Sequence, residues 1–350
     1  MAQSATPVYP FSGSVALPLE ASFDGGRLTS DGGLPWLEQA ETAVGLCAAF
    51  AAVIPDWRRG PVRHGLETLI RQRIFQIACG YEDQDDADPL RTDPLLKLVC
   101  GQPPETGQDL ASQPTLSRLE NAVDRRACYR LALALGDSYL RERERAGIPT
   151  HLILDFDGTD DPTHGAQEGS AYHGYYRQHM YHPLLVFDGE THHLITAVLR
   201  PGNTHGITGG VAVLKRVVRA VRERWPGVTI EVRMDSGEAV PAIYDWCEQA
   251  GIAYTIGLIT NPRLTALAAP LAAEAQRQRA ESGAEQVLLL GEAPYQAESW
   301  DQPRRVVIKA AWAVARNPPV ATRPSSATAT TDRSRLNRRM INPPDVRSGD

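Results

Sequence analysis

Apolar residues recur along this chain with two different periods, and the change falls near residue 150. Between residues 33 and 146 the spacing is helical, with Leu66, Leu69, Ile70, Ile74 and Ile77 returning at three- and four-residue steps. Leu119, Val123, Leu131, Leu133 and Leu135 follow the same period more loosely. Residues 115–118 open the last long helix of this region, and Gly147 and Pro149 close it. Residues 81–93 are acidic and loop-like. Residues 1–30 place short apolar pieces among Gly, Ser and Pro, the pattern of a small hairpin.

Beyond residue 150 the pattern predicts strands at 151–157, 181–187 and 193–199, with Gly189 at a turn. Residues 207–225 then form an amphipathic helix. Its stripe is Val211, Leu214, Val217, Val218, Val221 and Trp225, and Lys215, Arg216, Arg219 and Arg222 lie off it. A fourth strand at 228–234, a helix at 239–250 and a fifth strand at 253–258 complete a β-β-β-α-β-α-β order. Three strands in meander followed by αβ units is the ribonuclease-H-like order, in which the first strand is central and the fourth lies beside it in parallel. A helix at 264–282 and strands at 286–290 and 304–308 read as an inserted module. The expected fold is therefore α/β: a ribonuclease-H-like mixed sheet with a β-rich insertion, preceded by a mainly helical domain. The expected divisions are an extension at 1–30, a helical domain at 31–149, a core at 150–262, the insertion at 263–310 and an atypical tail at 311–350.

Composition narrows the chemistry. Charged residues make up 22% and hydrophobic ones 42% of 350, which is ordinary globular usage and excludes a fibrous or wholly disordered chain. The five cysteines show no paired spacing, so neither a zinc finger nor a disulfide framework is expected. No apolar run reaches the ~20 residues a bilayer needs, and no signal peptide is visible. The expectation is a soluble, cytoplasmic, nucleoid-associated protein without a membrane partner. The net charge of −6 is uneven, because residues 311–350 hold seven Arg, three Asp and no Lys or Glu, a net of +4.

The candidate chemistry is a pair of acids. Asp157 ends the first strand of the core and Asp235 ends the fourth. If those strands are parallel neighbours ~4.8 Å apart, both carboxylates stand at one sheet edge, where open sheets bind ligands. Two hard oxygen donors there suit Mg²⁺, and two such ions serve phosphodiester chemistry. The plainer alternative for each Asp is a turn or helix cap. Asp155 shares a face with Asp157 along the strand and is the alternate first ligand. Residues 154–159, LDFDGT, also look like the first motif of haloacid-dehalogenase-like phosphatases, with Asp155 as nucleophile and Asp157 as acid–base. That family continues into a helical crossover, whereas two strands in meander follow here.

The chain resembles insertion-sequence transposases of the DDE type, the group called transposase DDE domain group one. The resemblance rests on LDFDGTDDPTHG at 154–165 with Gln167 and Gly169, YHGYY at 172–176 and YHPL at 181–184. It continues through LRPGN at 199–203, RMDSG at 233–237, IGL at 256–258 and NPR at 261–263, with RTDPLL at 91–96 upstream. It implies Mg²⁺-dependent DNA strand cleavage and strand transfer, terminal inverted repeats and target DNA as partners, DNA-end binding by the helical domain, and a dimer assembled on DNA. Asp157 and Asp235 match the first two acids of the family triad, with a two-metal Mg²⁺ site implied. The third acid, a Glu on a helix after the insertion, has no match, since no Glu follows Glu298. The expectation is a chain impaired or inactive by truncation or a change of reading frame, with a disordered tail, and a catalytically dead DNA-binding remnant is the alternative. Glu238 departs from the apolar residue usual at its position, which a helix-surface location would tolerate.

Expected DNA contacts are Arg233, His164, Gln167, Lys215 and Arg219. His164, His173, His179 and His182 gather near the hairpin with no zinc spacing. Tyr172, Tyr175, Tyr176 and Tyr181 either pack or stack on an unpaired base.

Overall fold

The computed structural model describes residues 8–11, 19–22, 26–204, 206–313 and 327–330. Contacts divide the chain into two compact units, 1–138 and 139–350, so the division falls inside a helix rather than at residue 149.

The first unit begins with a two-stranded antiparallel hairpin, β1 (Val8–Phe11) and β2 (Leu19–Ser22). Six helices follow: α1 (Leu34–Val44), α2 (Leu46–Val53), α3 (Leu66–Ala78), α4 (Ala87–Leu90), α5 (Pro94–Val99) and α6 (Gln113–Asn121). The α3 stripe serves two cores. Leu69 and Ile70 join Cys47, Leu116 and Leu119, while Phe75 joins Leu34, Leu96 and Leu110. Between those faces Gln72 is fully buried and satisfied, donating to the Ala111 carbonyl and accepting from its N–H, both at 2.9 Å. The helix expected to run on from residues 115–118 is in fact two. α6 ends at Asn121, and α7 (Arg125–Ala146) starts anew because Asp124 Oδ1 accepts the Ala127 N–H at 2.7 Å, an N-cap.

The second unit is built on one mixed sheet. Its strands are β3 (His151–Gly158), the short β4 (Asp161–Pro162), β5 (Ala171–His173) and β6 (Gln178–Tyr181) of a separate three-stranded sheet, then β7 (Leu184–Asp188) and β8 (Leu194–Val198). The strand expected at 181–187 is thus divided. Pro183 has no N–H to give a ladder, so Tyr181 ends one sheet and Leu184 begins the other. Helix α8 (Gly210–Arg224), β9 (Thr229–Met234), a 3₁₀ turn at Ser236–Glu238, α9 (Pro241–Gln249) and β10 (Ala253–Leu258) follow. The core order β8-β7-β3-β9-β10, with β3 antiparallel to β7 and parallel to β9, is the ribonuclease-H-like arrangement. Helix α10 (Pro262–Ser282) leads to the long hairpin β11 (Gln286–Tyr295) and β12 (Arg304–Ala313). β13 (Ala327–Thr330) pairs with both β12 and β10, so the hairpin is hydrogen-bonded into the core sheet. Of the tail at 311–350, residues 311–313 finish β12 and 327–330 form β13; the disorder expected of the tail otherwise concerns positions outside the described residues.

The core explains why the elements hold. Leu152, Leu154 and Phe156 alternate along β3 and pack with Val213, Leu214, Val217, Val218 and Val221 of α8 in one buried cluster. Each fully buried side chain of this kind contributes about 1.5–3 kcal/mol. Two polar networks pin the sheet's flanks. Arg304, 5% exposed, pairs with Asp245 and Glu248 of α9 at 2.6 and 2.7 Å and lies over the Tyr244 and Trp300 rings. At the other edge Asp188, 1% exposed, accepts from Tyr139 Oη at 2.9 Å and from the Glu190 N–H at 2.9 Å, with Arg143 at 3.5 Å. Burial pushes the Asp188 carboxyl up, but these hydrogen bonds outweigh it and hold it below its ordinary value. Asp188→Ala is expected to destabilise the second unit by about 3–5 kcal/mol, because it strands a buried cation and hydroxyl. Denaturant unfolding checks this; a loss under 1 kcal/mol would show that the network is not structural.

Candidate active site

The two parallel strands β3 and β9 determine where the acids meet. Their register pairs Phe156 with Met234, so the next residues, Asp157 and Asp235, stand side by side where the strands end. Asp157 is exposed to solvent, while Phe156 beneath it is buried. Partial desolvation, then the neighbouring charges of Asp235 and Asp155, raise the Asp157 carboxyl above its ordinary value. Asp157 thus lies within reach of the charges of both neighbouring acids.

Each acid has a different local role. Asp235 caps the 3₁₀ turn, its Oδ1 accepting the Gly237 N–H at 2.6 Å, so the capping alternative holds for one of its oxygens. Gly257 of β10 makes room for this turn, because a Cβ there would lie 3.0 Å from the Ser236 nitrogen. Asp155, the alternate ligand, is held by Arg233, whose Nε donates to Oδ1 at 2.6 Å and whose Nη2 contacts Oδ2. That pairing neutralises Asp155 and occupies Arg233, which the sequence placed among the DNA contacts.

Glu238 does not meet the condition under which its departure from the family pattern would be tolerated. It is 4% exposed rather than on a helix surface, because the 3₁₀ turn after Asp235 points it inward. Burial is the largest influence on it, followed by a hydrogen bond with Asp235 and the charges of Asp235 and Asp157, and together they push its carboxyl up to about 8. Its Oε2 is buried with no hydrogen-bond partner.

A basic counterpart comes from the LRPGN segment. Arg200, 6% exposed, donates from Nε to the His182 carbonyl at 2.8 Å and from Nη1 to the Gly206 carbonyl at 2.7 Å, and its buried Nη2 has no partner. The His182 N–H in turn donates to the Arg200 carbonyl at 2.9 Å, tying the YHPL and LRPGN segments together. Gly158 at the end of β3 lets both side chains approach, since a Cβ there would meet His182 Nε2 at 2.9 Å and Arg200 Nη2 at 3.4 Å. Neither Arg200 nor Glu238 was singled out from the sequence for chemistry. The available signal was a charged residue inside the LRPGN segment for Arg200 and directly after RMDSG for Glu238.

The remaining candidates lie elsewhere. His164 and Gln167 are exposed in the loop between β4 and β5, joined by a bond from Gln167 Nε2 to the His164 carbonyl at 3.3 Å. Lys215 and Arg219 are exposed on the outer side of α8, Arg219 beside Glu223 at 3.8 Å. His173 packs against His182 and Tyr176, and His179 against Tyr172, as edge-on or tilted rings.

The donor set fits a hard divalent cation. Asp157 and Asp235 offer adjacent carboxylate oxygens, and the unpartnered Glu238 Oε2 lies in the same acidic site. Among the described residues no three acidic, His or Cys side chains enclose an ion by themselves. Mg²⁺ does not require that, because it keeps waters and takes substrate phosphate oxygens alongside one or two carboxylates. No helix among the described residues is long and apolar enough to cross a membrane.

Three solved structures show a remote likeness to this chain. A piggyBac transposase synaptic complex with hairpin DNA is 10% identical with a TM-score of 0.34, covering 84% of this chain and 52% of that one. A Mos1 transposase paired-end complex with the left transposon end is 14% identical, TM-score 0.22, covering 67% and 68%. A Mos1 mariner paired-end complex with Mn is 14% identical, TM-score 0.23, covering 65% and 72%. The chain thus spans about half the length of the piggyBac protein it is similar to. No curated protein matches the chain. Family assignment rests instead on the sequence itself, across the helical region, the strand ends that carry the acids and the hairpin beyond them: residues 12–318 match the family described as Transposase DDE domain group 1, and the chain belongs to that family.

Proposed function

We propose that this protein is a DNA transposase that cleaves and transfers DNA strands at the ends of a mobile element, with Asp157 and Asp235 as its metal-holding acids. The observation that carries the reading is the in-register placement of these two aspartates at the ends of adjacent parallel strands, in a chain of this family. Asp157 and Asp235 would hold Mg²⁺ or another hard divalent ion, which when bound supplies positive charge at the attacking and leaving oxygens of a phosphodiester. The solvent-facing Asp157 leaves the strand end open to a DNA backbone. The Asp235 cap fixes the second carboxylate by holding its Oδ1 on the Gly237 N–H. Arg200 Nη2, buried and unpartnered beside Gly158, is placed to steady negative charge near the same edge. Partners under this reading are the terminal inverted repeats and target DNA, bound by a dimer.

The test is nicking of a supercoiled plasmid carrying the element's ends, with Mg²⁺, with Mn²⁺ and with EDTA. Nicking that needs the ion and the ends supports the reading, and no ion-dependent nicking on any plasmid would sink it. One observation favours a second reading, a DNA-binding protein that no longer cuts: among the described residues no group of three His, Cys, Asp or Glu side chains could hold a metal ion. End-specific DNA binding without nicking is its signature. The phosphatase reading is weakened by the Arg233 clamp on Asp155, the nucleophile it requires.

A further inference from the structure

The first unit contains an open cleft of about 310 Å³ whose wall is unusually basic. Arg58, Arg59, Arg63, Arg91 and Arg118 all line it, together with Trp57, and no acidic side chain does. Five guanidiniums from three separate stretches of sequence converge here: the segment after α2, the end of α4 and the last turn of α6.

Two of the five are partly neutralised from outside the cleft. Arg58 pairs with Asp56 at 2.8 Å, and Arg91 stands 3.4 Å from Asp109. Arg59, Arg63 and Arg118 are exposed, and none makes an ion pair among the described residues. Five cations against two carboxylates leave a net of +3. His64, buried in the wall, reports that field: burial first, then the charges of Arg63, Arg91 and Arg58, push its imidazole below the ordinary value. A basic run along one helix is usually just a solvated face. Convergence of three segments on a concavity is different, because like charges held together cost energy unless an anion completes them.

The wall also has the other half of a nucleic-acid site. Trp57 lies against Arg58, 5.6 Å from guanidinium carbon to ring centroid, which presents an aromatic ring beside fixed cations. Ser112 and Thr115 add hydroxyl donors. Guanidiniums match phosphate oxygens in geometry as well as charge.

We propose that this arginine-lined cleft binds the phosphodiester backbone of DNA, with Arg59, Arg63 and Arg118 on phosphate oxygens and Trp57 against the adjoining sugar or base. The choice of DNA as the polyanion rests on the transposase reading. The cleft is built from residues of the first unit alone.

The experiment is fluorescence anisotropy of the full chain with a labelled 20-base-pair duplex of random sequence, in EDTA, across a salt series. The triple variant Arg59→Ala, Arg63→Ala, Arg118→Ala changes only exposed side chains and is expected to stay folded. Arg277→Ala, an exposed arginine in the second unit already paired with Glu274 and Glu281, serves as control. Each lost phosphate contact removes ~0.9 from the slope of log K against log salt, so the triple variant should lower the slope by about 2–3 and weaken binding at least ~10-fold near 0.1 M salt. The control should change neither. Wild-type binding with an unaltered slope in the triple variant overturns the cleft proposal and leaves the transposase reading standing. No duplex binding by the wild type overturns both. Saturable stabilisation by free deoxycytidine monophosphate at micromolar concentration, lost in the triple variant without any change in duplex slope, would reassign the cleft to a small ligand and overturn the proposal.

Discussion

Asp235→Asn is expected to lower ion-dependent DNA nicking by at least about 100-fold while leaving the second unit folded. Loss of groups that merely orient metal ligands already costs 10–100-fold in affinity or activity, and a ligand itself should cost more. Asparagine is the informative choice. Asp235 both caps the 3₁₀ turn through Oδ1 and offers a charge to the crevice. The amide oxygen of Asn keeps the cap, so what is lost is the charge. Alanine would also remove the cap, a further ~1 kcal/mol of local stability, and confuse the two. Asp157→Asn should have a loss of similar size, and its exposure means little stability is at stake. Because the two carboxylates hold one site, the double variant should be no worse than either single one, as happens when residues act as a unit. A double variant that loses the sum of the two single effects would show that the aspartates act independently, against a shared ion. Asp155→Asn makes the contrast: it breaks the Arg233 clamp and should disturb the strand more than the chemistry. If it instead abolishes hydrolysis of a phosphomonoester that the wild type turns over, the phosphatase reading returns.

Glu238→Gln should raise the thermal stability of the second unit in EDTA at pH 8.5 and leave it nearly unchanged at pH 4.5. The sign follows from proton binding. The Glu238 carboxyl titrates near 8 in the fold against an ordinary value of 4.5. Between those values the native state holds a proton that the unfolded chain has released, so stability falls as pH rises. The stabilising contribution is complete below pH 4.5 and is lost by the time pH passes 8. Asp157 is shifted in the same direction and adds to the fall. One pKa unit is worth 1.36 kcal/mol, so the Glu238 loss is on the order of 3–5 kcal/mol. For a unit of this size that corresponds to about 6–15 °C in melting temperature. Glutamine is neutral at every pH and can donate its amide N–H to Asp235 as the protonated acid does, so it should flatten the profile. Calorimetry of both proteins at the two pH values is the check. Equal pH dependence in wild type and variant would mean that Glu238 is hydrated and its burial costs nothing. The physical cause is that an isolated carboxylate cannot be buried charged without a partner, and its Oε2 has none.

The reading from sequence alone was strongest where one period ran without interruption. The alternation in β3, the stripe of α8 and the apolar run of β10 lie within a few residues of their expected bounds, since each contributes its apolar positions to one buried cluster. It was weakest where one residue changes the course of the chain. Asp124 restarts a helix that apolar spacing alone would carry through. Pro183 divides a strand whose hydrophobicity is continuous. Hairpin β11–β12 reads as a separate insertion because its attachment is made by a strand some fifteen residues later in the chain.

At the site the same distinction holds. The family, the order of the core elements and the place of Asp157 and Asp235 at strand ends are legible in the sequence, because a carboxylate following a strand is visible as a motif and the strand order puts the ends together. Which neighbours each charge meets is a matter of packing. It bound Asp155 to Arg233, placed Glu238 in the interior, left Arg200 with a free buried nitrogen, and brought five arginines from three segments to one cleft. Local pattern records whether a residue suits water or the core. The energy of a charge depends instead on the few ångströms around it, and those are set by segments distant in sequence.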